Sequence, residues 1–316
     1  SIYLKTFVLG LSKDIPVSQF PAKLVLELRS LTRKYYDLTD ERSAHINKLK
    51  GDLHTVFPQY LDVFCDVTGK TSTMILRQYG TPDKILRGHK KTMIEKISKA
   101  SRKGLAKASE RYEKLCAAAN AAKTFGCQID SIYFNIFLTL DLVEKLDSAL
   151  DSILNRIRQL ITFNKNEKFI QQIKLLNTIP GVGFLTAVTI MCEIGDFSAF
   201  RNPKQLFAYF GLDPEVNESG KFVGTQLHMS KRGSRIARRA IFAVALASIR
   251  TKRNGEGINP YLRKYYELKS GQKPKMVAIG AVMHKVCNIV FAVLRDEKAF
   301  ELRSPEEHCK QYQRPA

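Results

Sequence analysis

Acidic residues are in short supply in this chain. Its 316 residues include 30 Asp+Glu against 51 Lys+Arg, a formal net charge of +21, and the isoelectric point is near 9.7. Such an imbalance opposes compaction by self-repulsion and draws polyanions to the surface. Nucleic acid is therefore the expected partner. An anionic membrane surface is not expected, because no long Lys-rich amphipathic segment carries an aromatic face. Uninterrupted apolar runs of about 18 to 20 residues, the length that spans a bilayer, are also missing by inspection of the sequence. The short apolar stretch in SIYLKTFVLGLSKDIP has no small-residue cleavage site after it, so it does not read as a signal peptide. Cysteine is sparse, six in all with no C-x-x-C pair. The histidines do not sit at ligand spacing from them, which argues against zinc and for reduced thiols. No G-x-S-x-G and no histidine at triad spacing support a hydrolase. Strand signals are few: Ile2–Leu9, and a short run around Lys221–Gln226.

What is present is helical and apolar enough to fold. Hydrophobic residues make up 44%, mean hydropathy is -0.20, and the length suits two or three domains. From Pro21 to Phe57 the positions Leu24, Leu28, Leu31, Tyr35, Leu38, Leu49, Leu53 and Val56 form a three-four stripe, the pattern of a coiled coil or helix bundle. Thr71–Phe125 is a second helical region, split at Gly88 and Gly104 and dense in Lys and Arg. Val143, Leu146, Leu150, Ile153, Ile157 and Leu160 mark a third long helix. Together these predict an antiparallel coiled-coil arm over 21–168, with NKNEK at 164–168 as its hinge and the leucine seams favouring a homo-oligomer, dimer or tetramer. A compact domain is expected over 169–300, and a tail over 301–316. The fold class is mainly α.

Three features of the C-terminal part bear on chemistry. In IPGVG, Gly181 and Gly183 sit between two helical stretches, a helix-hairpin-helix pattern whose free backbone N–H groups can hold a phosphate. The stretch NESGKFVGTQLHMSKRGSRIARRA places Ser219 on a glycine-containing turn and follows it with Lys231, Arg232, Arg235, Arg238 and Arg239. Ser234 is a natural N-cap for a helix starting at Arg235. Arg235, Arg238 and Arg239 then share one face near its start, where the helix macrodipole disfavours positive charge. A bound phosphate would relieve that conflict.

The order of these features resembles a known family. LLNTIPGVGFLTAVTIMCEIGDFSAFRNPKQLFAYFGLDP, then ESG, then MSKRGSRIARRAIF, then NPYLRKYYELKSGQKPKMVAIGAVMHKVCNIVFAVL is similar to the C-terminal transposase domain of the IS110 insertion-sequence family. LRSLTRKYYDLTDERSAHINKLKGDLHTVFP resembles that family's helix after its RuvC-like domain. The resemblance implies a DNA transposase that cuts and rejoins DNA through a covalent phosphoserine, guided by a structured non-coding (bridge) RNA. It implies Ser219 as nucleophile, Gly181 and Gly183 as the PGxG hairpin, and Lys231, Gly233 and Arg238 as its SK.G....R stretch. It also implies Mg²⁺, held in the family by four acidic residues of the RuvC-like domain. The chain starts at Ser1, just downstream of that region, with 1–20 as its remnant. Asp37 and Asp40 form an Asp-x-x-Asp but lie on the long helix, so metal ligands are not expected in this chain. On this reading it is inactive alone, and a non-catalytic fragment that binds RNA or DNA is the alternative. A prokaryotic cytoplasmic, nucleoid-associated location and no membrane partner are implied.

Overall fold

The computed structural model describes residues 22–125, 127, 129–215, 218, 219, 222, 223, 228–304, 306 and 307. The expected strand at Ile2–Leu9, the expected remnant at 1–20 and the end of the tail lie outside them. The fold is mainly α, and its described residues divide into two compact units. One comprises Arg33–Arg158, the other the described parts of Ser1–Thr32 and Gln159–Ala316. The expected linker-to-domain boundary at 168/169 falls ten residues beyond the division at 158/159, and the start of the first helix joins the C-terminal unit.

Helix α1 (Lys23–Val56) is rich in Leu, Arg, Lys and Glu, good helix formers with little rotamer entropy to lose. Phe57-Pro58 ends it, since proline lacks an N–H and its ring disfavours helical geometry in the residue before it. In the first unit, the part of α1 beyond residue 32 runs antiparallel to that of α7 (Asp130–Phe163) up to residue 158. Arg42 pairs with Asp147, and fourteen residues further along α1 the Tyr133 hydroxyl donates to Val56 O at 3.4 Å. Val143, Leu150, Ile157 and Leu160 of the expected α7 stripe are buried, so this seam was legible. Arg42 occupies a gap in the α1 leucine stripe. Its bond to Asp147 holds the guanidinium even more firmly protonated than usual.

Between these helices the chain forms α2 (Tyr60–Val63), α3 (Lys70–Gln78), α4 (Pro82–Arg87), α5 (Lys90–Ser101) and α6 (Leu105–Phe125). This departs from the expected plain coiled-coil arm. The region has its own core, built from Leu49, Leu53, Phe57, Tyr60, Ile75, Met93, Ile97 and Leu115 with Ala108, Ala118, Ala119 and Ala122. Those alanines look too small to form a core in the sequence, but they let α6 approach its neighbours closely. The Tyr60 hydroxyl bonds Ser72 O at 3.0 Å, and burial pushes its phenol well above the ordinary tyrosine range.

The second unit contains α8 (Lys168–Leu176), α9 (Phe184–Ile194), α10 (Pro203–Tyr209), α11 (Arg235–Ser248), α12 (Pro260–Ser270) and α13 (Lys275–Asp296). Among the described residues one hairpin, β1 (Glu218–Ser219) with β2 (Phe222–Val223), lies between α10 and α11 in the chain. Helix α13 packs against α8, α10, α11 and α12. By length and composition it is apolar enough to cross a membrane, although His284 and Lys285 break its apolar run. Over half of its most apolar stretch, 56%, is buried inside this unit. Val25, Leu28 and Thr32 of α1 are buried too, and Arg29 Nε donates to Cys192 O at 2.7 Å. Leu28 is therefore buried in the chain's own core. Cys65, Cys116, Cys127, Cys192 and Cys287 form no disulfide, and burial drives the Cys287 thiol well above its usual range.

Candidate functional site

The hairpin carrying Ser219 stands on a base fixed backbone to backbone. Lys231 N donates to Gly211 O at 3.0 Å, Ser230 N to Asp213 O at 2.8 Å and Glu215 N to His228 O at 2.7 Å. The Ser230 hydroxyl bonds Asp213 Oδ1 at 2.6 Å. The strands approach so closely here that a methyl on Gly233 would lie 2.0 Å from Tyr209 O. Gly211 adds a positive φ of 65°, and its Cβ would stand 2.4 Å from Gly233 N. Only glycine fits either place. Lys231, a residue with a Cβ, is nonetheless held left-handed at φ 55°. Such a conformation costs of order 1 kcal/mol and persists only where its surroundings over-determine it.

At the tip, Ser219 pairs across the hairpin with Phe222 and Glu218 with Val223. The expected strand around Lys221–Gln226 is thus present at Phe222–Val223. The Ser219 side chain lies outside what the structure describes, as do Gly220 and Lys221.

The five expected cations divide into distinct groups. Lys231 and Arg232 are exposed on the base of the hairpin, Arg235 is exposed on α11 and Arg239 is half-buried. Arg238 turns inward. Its Nη1 donates to Gly233 O at 2.8 Å, Lys231 O at 3.1 Å and Phe210 O at 3.2 Å. Hydrogen bonds from a charged donor are about twice as strong as neutral ones, so this guanidinium ties the hairpin base to the end of α10.

Ser234 caps α11 as expected, its Oγ accepting from Ala237 N at 3.1 Å. The same hydroxyl donates to Glu193 Oε2 at 2.7 Å. Glu193 is only 3% exposed, and its backbone oxygen accepts from the Tyr209 hydroxyl at 3.1 Å. Sequence reasoning missed this residue. The available signal was one acid inside the apolar run AVTIMCEIG. Its carboxyl lies at the start of α11, where the helix dipole favours an acid, so a protein group takes part of the place attributed above to a missing phosphate.

Gly181 and Gly183 lie in the loop between α8 and α9. Gly181 has φ 95°, and a methyl there would meet Ser248 Oγ at 2.7 Å. Ser248 in turn donates to Pro180 O at 3.0 Å. Gly181 is thus needed for packing the hairpin on the end of α11. Gly183 is the N-cap of α9 without a side-chain cap, and open space surrounds its Cβ position. Of the pair, Gly183 is the one placed for a ligand to approach.

The described residues do not fit a Mg²⁺ site, because no group of three or more His, Cys, Asp or Glu is gathered among them. Asp37 is exposed on α1 and Asp40 half-buried one turn further on.

A helical domain with a glycine-locked hairpin and a cationic base defines a class, which comparison with known proteins makes specific. Residues 173–267 match the family described as Transposase IS116/IS110/IS902 family. The chain is 23% identical over 286 residues to the insertion element IS110 uncharacterized 43.6 kDa protein of Streptomyces coelicolor, covering 90% of this chain and 66% of that protein. It is 30% identical to the pilin gene-inverting protein of Moraxella bovis, over 56% of this chain and 52% of that protein. It is 26% identical to the transposase for insertion sequence element IS1111A of Coxiella burnetii, over 58% of this chain and 50% of that one. The likeness to the IS116/IS110/IS902 transposase family is thus strongest in the C-terminal part, over residues 173–267. It spans between half and two thirds of the length of these relatives.

Proposed function

We propose that this chain carries the serine-nucleophile domain of a DNA transposase or recombinase. The observation that supports it best is the construction of the hairpin base. Gly211, Gly233, Arg238 and the Asp213–Ser230 bond hold rigid the foot of a two-residue ladder that bears Ser219. Rigid support beneath it is what a positioned nucleophile requires. The Ser219 hydroxyl attacks a DNA phosphorus. The Ser219 Oγ–P bond forms, the P–O3′ bond breaks, and the serine proton is transferred, in net, to the leaving 3′ oxygen. The product is a serine ester of the DNA 5′-phosphate. It conserves the energy of the broken ester, so the reverse attack by a 3′-hydroxyl rejoins DNA without a nucleotide cofactor.

Lys231, Arg232, Arg235 and Arg239 supply charge to the non-bridging oxygens, while Arg238 positions the loop beneath. The backbone at Gly183 offers a phosphate contact without sequence preference. In this reading the protein works with a structured guide RNA and as a homo-oligomer. Any Mg²⁺ would have to be held by acidic residues other than the described ones, and would supply charge stabilisation.

The test is a denaturing gel of labelled DNA incubated with guide RNA, Mg²⁺ and the protein joined to a family acidic domain. A protease-sensitive adduct that disappears in Ser219→Ala, with DNA affinity unchanged, is expected. An adduct that survives Ser219→Ala removes the serine from the mechanism.

A further inference from the structure

Residues 96–109, KISKASRKGLAKAS, contain five cations and no acid. The fold makes them the turn joining α5 to α6. Every residue from Arg102 to Lys107 is exposed. Arg102 is left-handed at φ 54°, and the Ser98 hydroxyl donates to Lys103 O at 2.7 Å, which closes the turn. On the two helices, Glu110 pairs with Lys114 at 2.8 Å and Glu113 with Lys90 at 2.7 Å, while Glu95 lies exposed one turn before Lys99 on α5 and forms no ion pair with it. Among the described residues Lys99, Arg102 and Lys103 have no acidic partner. Lys107 lies one turn from Glu110 and only adds to the effect of Lys114 in holding that carboxyl low.

We infer that this turn is a second contact surface for the sugar-phosphate backbone of a nucleic acid, separate from the hairpin domain. Lys99, Arg102 and Lys103, without an acidic partner, and Lys107 beside them raise the local potential and cost self-repulsion, which a line of phosphates offsets. Ala100, Ser101, Gly104 and Ala106 between them are small, and a Cβ on Gly104 would meet nothing within 4 Å, so a backbone can approach closely. Residues 96–109 contain no aromatic and no side-chain amide to stack on or read a base, so the contact positions nucleic acid without selecting a sequence. The inference rests on the reading that the chain acts on nucleic acid, and it assigns part of that binding to the helical unit.

The test titrates the parent and the variant Lys99→Ala/Arg102→Ala/Lys103→Ala/Lys107→Ala with an arbitrary-sequence DNA duplex and with an RNA hairpin. Salt is varied between about 50 and 200 mM. The variant is expected to lose about three to four from the log–log salt slope and at least about tenfold in affinity near 100 mM. Lys103→Glu with Lys107→Glu, at equally exposed positions, is expected to weaken binding at least as much. An unchanged unfolding midpoint shows that these losses are not misfolding. A loss confined to RNA assigns the surface to the guide, and one confined to DNA assigns it to the target. Affinity within twofold of the parent for both nucleic acids overturns the inference. If Lys231→Ala with Arg232→Ala meanwhile flattens the slope, the transposase reading stands without it. A parent that binds neither nucleic acid overturns both.

Discussion

The helical unit of residues 33–158 and the unit that carries the hairpin meet the same requirement by different means. The helical unit buries side chains: two leucine-rich stripes and an alanine-lined core. Where its glycines are crowded the nearest atoms are side chains, Phe137 at Gly80 and Met93 at Gly88, and Gly51 and Gly104 have open space where a side chain would go. The hairpin unit buries main chain. Gly211, Gly233 and Gly181 bring backbone within 3 Å of where a Cβ would stand, and Arg238 satisfies carbonyls that the close approach leaves exposed to one another. Side-chain packing tolerates substitutions of similar size, whereas backbone-to-backbone contact tolerates none. A scaffold that must hold a nucleophile has reason to use the second.

Paired glycines break the comparison most sharply. Gly233→Ala should cost about 3 kcal/mol or more and remove the hairpin unit's cooperative unfolding, because its methyl would overlap main chain that cannot move aside. Gly104→Ala in the helical unit should leave stability unchanged or raise it by about 0.5 kcal/mol. Denaturant unfolding of both reads the contrast, and equal effects would mean that the close approach at Gly233 is wrong.

The arginines of α11 should separate next. Arg238→Ala forfeits bonds from a charged donor to three carbonyls, about 2 to 3 kcal/mol, and Arg238→Lys should recover little because an ammonium lacks the planar fork. Arg235→Ala should stay within about 0.5 kcal/mol in stability while lowering the salt slope of DNA binding by about one. The two readouts, unfolding midpoint and salt slope, should move in opposite members of the pair.

Ser234→Ala should cost about 1 to 2 kcal/mol, at the upper end for a helix cap, because it also removes the hydroxyl that donates to buried Glu193. Ser234→Thr keeps both bonds and should restore most of the loss in a thermal melt. Smallest of all should be Arg42→Ala. Its pair with Asp147 has side chains 29% and 47% exposed, so solvent screening leaves about 0.5 kcal/mol. A double-mutant cycle with Asp147→Ala should find that coupling, and it should shrink at high salt.

The helical stripes were legible because burial repeats along a helix with its own period. Val143, Leu150 and Ile157 appear at that period in the sequence and are buried in the structure. Ser234 as a cap and the breaks at Gly88 and Gly104 were legible for the same reason, since each acts within a few residues of itself. The core of α2–α6 was not, because Ala108, Ala118 and Ala119 carry no size signal and become core only when a neighbouring helix covers them. Among the candidate cations the sequence showed the group but not its division. Arg238 is separated from Arg235 by its carbonyl partners at 210, 231 and 233, not by anything in the residues beside it.

By itself the sequence determined the charge, the helical class, the helix start at Arg235 and the likeness to a transposase family. Each of these follows from composition or from residues close along the chain. The tertiary structure alone decided that Gly233 and Gly211 touch, that Glu193 lies beneath the head of α11, and that Arg238 braces the loop instead of facing solvent. These depend on atoms up to 41 residues apart, as for Glu193 and Ser234, and a partner at that distance leaves no period or local pattern in the chain to read.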